Sequence, residues 1–237
     1  MLTKTPLHDQ IAEKLAGREP DWFTVCAQFL KSRPYHHLQM CLRQGEDLPI
    51  SRFAGQFAEL HLRQSLEEIC NELGMGNRVV FDALRPGLRS KNFEFCTDKA
   101  GSLYTKYADS DTYYSEIDEI MLIDNIPTLF EVRIKSPKNK GSRHGGSKHG
   151  NAYNMTQPRV DYLLEPLKDY FRTEKASFVF IIPPDQIHEN SPVQKEFKKR
   201  GGILLPFYKD RYAYQDEVKN VLDYMSINHK KPSKEAP

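Results

Sequence analysis

The chain has 237 residues, 39% of them hydrophobic and 28% charged, with a formal net charge of +2. That is enough apolar residue for one large core, a composition unlike disordered or fibrous chains, and too small a net charge to name a partner. No apolar run approaches the roughly 18–20 residues that span a bilayer, so no membrane partner is expected. The N-terminus, MLTKTPLHDQIAEKL, is polar and carries acids early. It does not read as a signal or transit peptide, and a cytoplasmic protein is expected. Cys26, Cys41, Cys70 and Cys96 are widely spaced without a C-x-x-C pair, as expected of reduced thiols.

Residues 1–50 read as a helical N-terminal segment. Leu7, Ile11 and Leu15 recur at helical spacing, Gly17 stops the run, and Pro20 opens a second helix. The stretch RPYHHLQMCLRQGEDLP is ambiguous. A long amphipathic helix is predicted from Ser51 to Leu73, with Phe53, Phe57, Leu60, Leu66 and Ile69 on its apolar stripe and Gly74 as its C-cap. The period then changes from 3.6 to 2. RVVFDAL (78–84), FEFCT (93–97), EIDEIMLI (116–123) and TLFEVRIK (128–135) are predicted strands, separated by turn signals at RPGLRSKN and DNIP. After a Gly/Lys/Ser/His-rich loop come a helix over 157–171, a strand in SFVFIIP, a capped helix in SPVQKEFKKRGG, a strand in ILLPFY and a last helix in DEVKNVLDYM. The order predicts an α/β fold with a mixed sheet flanked by helices over 51–225, and a flexible tail over 226–237.

Strand pleating puts Glu116 and Asp118 on one face, opposite Ile117, Met121 and Ile123. In the following strand Glu131, Arg133 and Lys135 share a face, opposite Phe130, Val132 and Ile134. A short turn at DNIP pairs the two strands as a hairpin and brings Asp118 towards Glu131. Two carboxylates at one edge repel unless a cation sits between them, and such an oxygen-rich site suits Mg²⁺ or Mn²⁺. The same pattern also fits an exposed sheet face that merely carries charges.

EID at 116–118, EVR at 131–133 and the element order over about 51–210 resemble the PD-(D/E)xK nuclease superfamily, whose fold is restriction-endonuclease-like. Gln157 and Tyr162 resemble the Q-x-x-x-Y element of its RecB- and Cas4-like branch, one residue longer in spacing. The resemblance implies that Asp118 and Glu131 hold the metal, helped by the Val132 carbonyl, with Glu59 and Glu116 as outer or second-metal ligands. It departs from the family at the motif lysine, where this chain has Arg133. Arginine stays protonated and cannot act as a base, though it can stabilise a transition-state phosphate. Lys135 lies on the same face about 6–7 Å further along, so either residue is a candidate for the lysine's role.

From Arg133 to Arg159 the chain carries seven Lys or Arg and no Asp or Glu. That block reads either as a solvated connector or as a phosphate clamp, with Lys138, Lys140, Arg143, Lys148, Gln157 and Arg159 as the candidate nucleic-acid contacts. The expected function is metal-dependent phosphodiester hydrolysis of nucleic acid, DNA before RNA, with Asp118, Glu131, Arg133 and Lys135 as the catalytic set. Cutting both strands of a duplex usually takes two such sites, so a homodimer is one assembly this function allows. The alternative is a catalytically inactive nuclease-fold module that binds nucleic acid or a protein partner.

Overall fold

The computed structural model describes residues 1–44, 50–97, 102–134 and 155–229. Four helices come first: α1 (Pro6–Leu15), α2 (Trp22–Leu30), α3 (Arg33–Gln44) and the long α4 (Ile50–Glu72). Six strands follow, β1 (Val79–Val80), β2 (Phe93–Thr97), β3 (Leu103–Tyr107), β4 (Tyr113–Ile117), β5 (Glu119–Ile123) and β6 (Ile126–Val132). The chain then runs through α5 (Gln157–Phe171), β7 (Ser177–Ile182), α6 (Pro192–Lys199), β8 (Ile203–Pro206) and α7 (Arg211–His229).

The strands form a five-stranded sheet ordered β1-β5-β6-β7-β8 and a three-stranded sheet ordered β2-β3-β4. The larger sheet is mixed: β1, β5 and β6 are antiparallel, whereas β6, β7 and β8 are parallel. Central strands with both faces covered are largely apolar, and every residue of β6 and β7 is buried, Thr128, Glu131 and Ser177 among them. On one face Phe130, Val132, Val179 and Ile181 pack with residues of α1, α2, α4 and α7. On the other, Leu129, Phe178 and Phe180 pack with Val160, Leu163 and Leu167 of α5 and Phe197 of α6. Phe95 of β2 and Ile117 of β4 join this second core, so the small sheet leans over the α5 side of the large one.

The structure corrects the sequence reading at several points. The predicted strand over 78–84 pairs only through Val79 and Val80, because Asp82 turns the backbone to φ 51. The predicted strand over 116–123 is two strands, β4 and β5, that part at Asp118 and enter different sheets. Strand β3, unforeseen, supplies the partner that holds β4 in the small sheet. The ambiguous stretch after Ser32 forms α3. Pro166 lies inside the unbroken helix α5, and the last helix starts at Arg211, before the predicted 216. Among the described residues no helix is long and apolar enough to cross a membrane. The expected tail falls largely outside the described residues, as do residues 135–154 of the basic loop.

The N-terminal helices share the main core: Leu7, Ile11 and Leu15 of α1 are buried in it. A polar joint pins α1 to the sheet. The β5–β6 hairpin turns through Asp124 (φ 51) and Asn125 (φ 61), a two-residue loop whose left-handed pair matches strand twist. Asp124 accepts hydrogen bonds from Thr5 Oγ1 at 2.6 Å and Arg78 Nε at 2.7 Å. His8 Nδ1 accepts from the Thr5 N–H at 3.0 Å, which leaves Nε2–H to donate to Thr128 Oγ1 at 2.9 Å.

The neutral His8 ring is thus satisfied on both sides. Burial lowers its pKa from 6.5 to about 4, against the pull of Asp124 and Asp9 and with a small push from Lys4. Between those values the unfolded chain takes up a proton that the folded chain refuses, so the His8 contribution to stability is lost as pH falls. The urea midpoint of the wild type is expected to fall relative to that of a His8→Gln variant between pH 6.5 and about pH 4. Parallel pH profiles for the two proteins would remove His8 as the cause.

Candidate active site

The backbone bends at Asp118, where the chain leaves the small sheet for the large one. Because β5 and β6 pair with Glu119 opposite Phe130, Asp118 comes level with Glu131. Its Oδ2 accepts a hydrogen bond from the Val132 N–H at 2.8 Å. Val132 is the last residue of β6, and parallel pairing continues one step beyond it through Arg133 N–H to Ile181 O at 3.0 Å. The backbone therefore fixes both acidic positions without calling on side-chain freedom.

Glu131 is 0% exposed, although a charged sheet face had been one expectation for it. Its Oε1 pairs with Arg133 Nη2, while its Oε2 is buried without a hydrogen-bond partner among the described residues. Burial first, and then the negative charge of Asp118, push the Glu131 carboxyl above the usual range, opposed by Arg133 and Arg159. Glu59 reaches the same group from α4. Burial raises its pKa well above normal, and Asp118, Glu116 and Glu131 add to the rise while Arg133 opposes it. Burial also works against the charge on Arg133, but Glu131, Asp118 and Glu116 outweigh it and hold the guanidinium protonated. The buried Glu131 and Glu59 are thus pressed by Asp118 and by each other around one fixed cation, Arg133.

Glu116 stands apart from the other three, exposed on the outer side of β4. Among the described residues no three His, Cys, Asp or Glu side chains stand close enough together to hold a metal ion. The donor set nonetheless fits a hard divalent cation: it is all oxygen, and one buried carboxylate oxygen has its hydrogen-bonding capacity unused. Glu59 and Asp118 both line a cleft of about 270 Å³ together with Arg63, Asp82, Ile117 and Glu119.

Of the remaining candidates, Lys135, Lys138, Lys140, Arg143 and Lys148 lie outside the described residues. Gln157 is exposed in the first turn of α5. Arg159, two residues further in the same turn, lies over the Tyr162 ring at 4.9 Å and directs its charge at Glu131. Tyr162 itself is a structural clamp. Its ring stacks on Tyr114 with centroids 4.1 Å apart, its hydroxyl donates to the Tyr114 carbonyl, and Tyr114 donates in return to Glu165 Oε2 at 2.6 Å. This clamp fastens α5 to β4 and so sets Arg159 beside the acids.

Sequence reasoning missed Arg63. It bonds Glu67 at 2.6 Å, Asp82 at 3.0 Å and Glu119 at 3.1 Å, with its guanidinium 4.6 Å from the Phe81 ring centre. Arg63 thereby ties α4, one turn after Glu59, to the first residue of β5, one after Asp118. The local signal was Glu59, Arg63 and Glu67 at i, i+4 spacing on one helix face. The link to Glu119 was not available from local spacing.

No protein-family model, curated protein or solved structure matches the chain.

Proposed function

We propose that the chain is a metal-dependent nuclease of the PD-(D/E)xK kind, with a restriction-endonuclease-like core, acting on nucleic acid and on DNA before RNA. The observation that carries the reading is the meeting of Asp118, from the bend between β4 and β5, with Glu131 of β6, beside a buried carboxylate oxygen that lacks a hydrogen-bond partner among the described residues. Asp118 and Glu131 would hold Mg²⁺ or Mn²⁺, with Glu59 and Glu116 as outer ligands. What such an ion supplies is an activated water and neutralisation of charge at phosphorus.

The chain's own residues do the rest. The Val132 N–H orients Asp118. Arg133 keeps its proton, so its part is to steady negative charge on the phosphate rather than to act as a base. Arg159 adds a second positive charge from α5. The rival reading, an inactive nuclease-fold module, draws on the pairing of Arg133 with Glu131, which gives an acid of the motif an internal counter-ion.

Incubation with single- and double-stranded DNA and RNA in Mn²⁺, Mg²⁺ or EDTA separates the two. Cutting that needs the metal and is lost in Asp118→Asn is expected. Retention of nucleic acid with no cutting in any metal would give the site to the binding module.

A further inference from the structure

Strand β4 is an edge of the small sheet, and its outer side carries an aromatic pair. Tyr113 is 57% exposed, and its ring stacks on Tyr104 of β3 with centroids 5.7 Å apart and planes at 27°. A bulge makes this arrangement. Tyr104 pairs with Glu116 and Lys106 with Tyr113, with a register shift between Thr105 and Lys106. Residues three apart on a regular strand point to opposite faces. The extra residue lets Tyr113 and Glu116 both face outward while Tyr114 and Ser115 stay buried.

The charges around this pair are ordered. Those that bear on the Tyr113 phenol are Glu116, Arg133 and Arg159. Lys106 neutralises its neighbours through ion pairs with Asp111 at 3.1 Å and Glu94 at 3.8 Å. Arg133 and Arg159 each keep a buried Nε without a hydrogen-bond partner among the described residues. The Tyr104–Tyr113 stack lies on the same outer side of β4 as Glu116, which stands two residues before the bend at Asp118.

We infer that this face seats an unpaired stretch of nucleic acid, one base extending the Tyr104–Tyr113 stack while its phosphates turn to Arg133 and Arg159. The direction of entry rests on the nuclease reading of the acidic group; the stacking itself does not. Inside a duplex both faces of a base are covered by its neighbours, so an internal base can extend an exposed ring stack only when it is unpaired, and planar guanidinium groups complement phosphate. Single-stranded substrate, or an unpaired end, is therefore the class that fits.

The test is fluorescence anisotropy in EDTA, where nothing is cut, with labelled oligo(dT), oligo(U) and a blunt duplex of equal length. Wild type is expected to hold the single strands more tightly than the duplex, and the stronger of the two identifies DNA or RNA as the source. Tyr113→Ala should weaken single-strand binding about tenfold and leave duplex binding unchanged, while Tyr113→Phe keeps the wild-type affinity. Circular dichroism of each variant checks that the sheet is intact. Equal single-strand binding by Tyr113→Ala, preference for the duplex, or no binding of any probe would each overturn the inference. Metal-dependent cutting in the wild type with no effect of Tyr113→Ala on binding would sink the platform and leave the nuclease. Tyr113-dependent binding without cutting would do the reverse.

Discussion

Replacing Glu131 with alanine is expected to slow metal-dependent cleavage on the order of a thousandfold, with little loss of single-strand binding in EDTA. Glu131 is the most enclosed member of the acidic group, at 0% exposure, and it carries the buried oxygen without a hydrogen-bond partner among the described residues. An ion held between Asp118 and Glu131 would lose one of its two inner carboxylates, while Tyr113 and Arg159, which do not bond Glu131, stay in place. Manganese binding, followed by electron paramagnetic resonance, should weaken alongside activity. Glu116 is exposed, and Glu116→Ala serves as the comparison: as an outer ligand it should cost roughly tenfold. Cleavage by Glu131→Ala at the wild-type rate would remove this residue, and with it the proposed metal site.

Arg133→Met is expected to destabilise the fold by about 3 kcal/mol in urea unfolding at neutral pH. The guanidinium pairs with Glu131 and opposes the mutual repulsion of Glu131, Asp118 and Glu59. Methionine fills the space but leaves a carboxyl at 0% exposure facing other acids without its counter-ion. Two restorations follow from the same cause. The double variant Glu131→Gln/Arg133→Met should recover most of the loss, because a neutral amide does not need the cation. Added Mg²⁺ should raise the stability of Arg133→Met, since a ligand of the folded state alone stabilises it. A single variant as stable as the wild type would show that Arg133 is not the internal counter-ion of this group.

Much of the helical scaffold was legible because its signals are local. The apolar stripe and Gly74 marked α4, Ser191 and Pro192 marked α6, and the unbroken apolar runs marked β7 and β8 as buried strands. Where local pattern and tertiary pairing disagreed, the pattern misled. EIDEIMLI alternates well enough for one strand, yet Asp118 takes the bend, since β4 finds its partner in β3 and β5 finds its partners in β1 and β6. RVVFDAL has the composition of a strand, yet Asp82 adopts a left-handed backbone and pairs with Arg63 instead.

The chain's own pattern of residues was sufficient for the α/β order and for a hairpin at DNIP that brings Asp118 towards Glu131. Both depend on neighbours a few residues apart. The two-residue turn at Asp124 and Asn125, and the register that sets Asp118 level with Glu131, came from the structure. Only the tertiary structure decided that Glu131 is buried rather than on a charged face, that Glu59 presses on it from α4, and that a bulge turns Tyr113 outward beside Arg133 and Arg159. The reason is physical. Burial and charge coupling depend on which surfaces cover a strand, and those surfaces come from α4, α5 and the small sheet, elements distant along the chain whose approach no local spacing records.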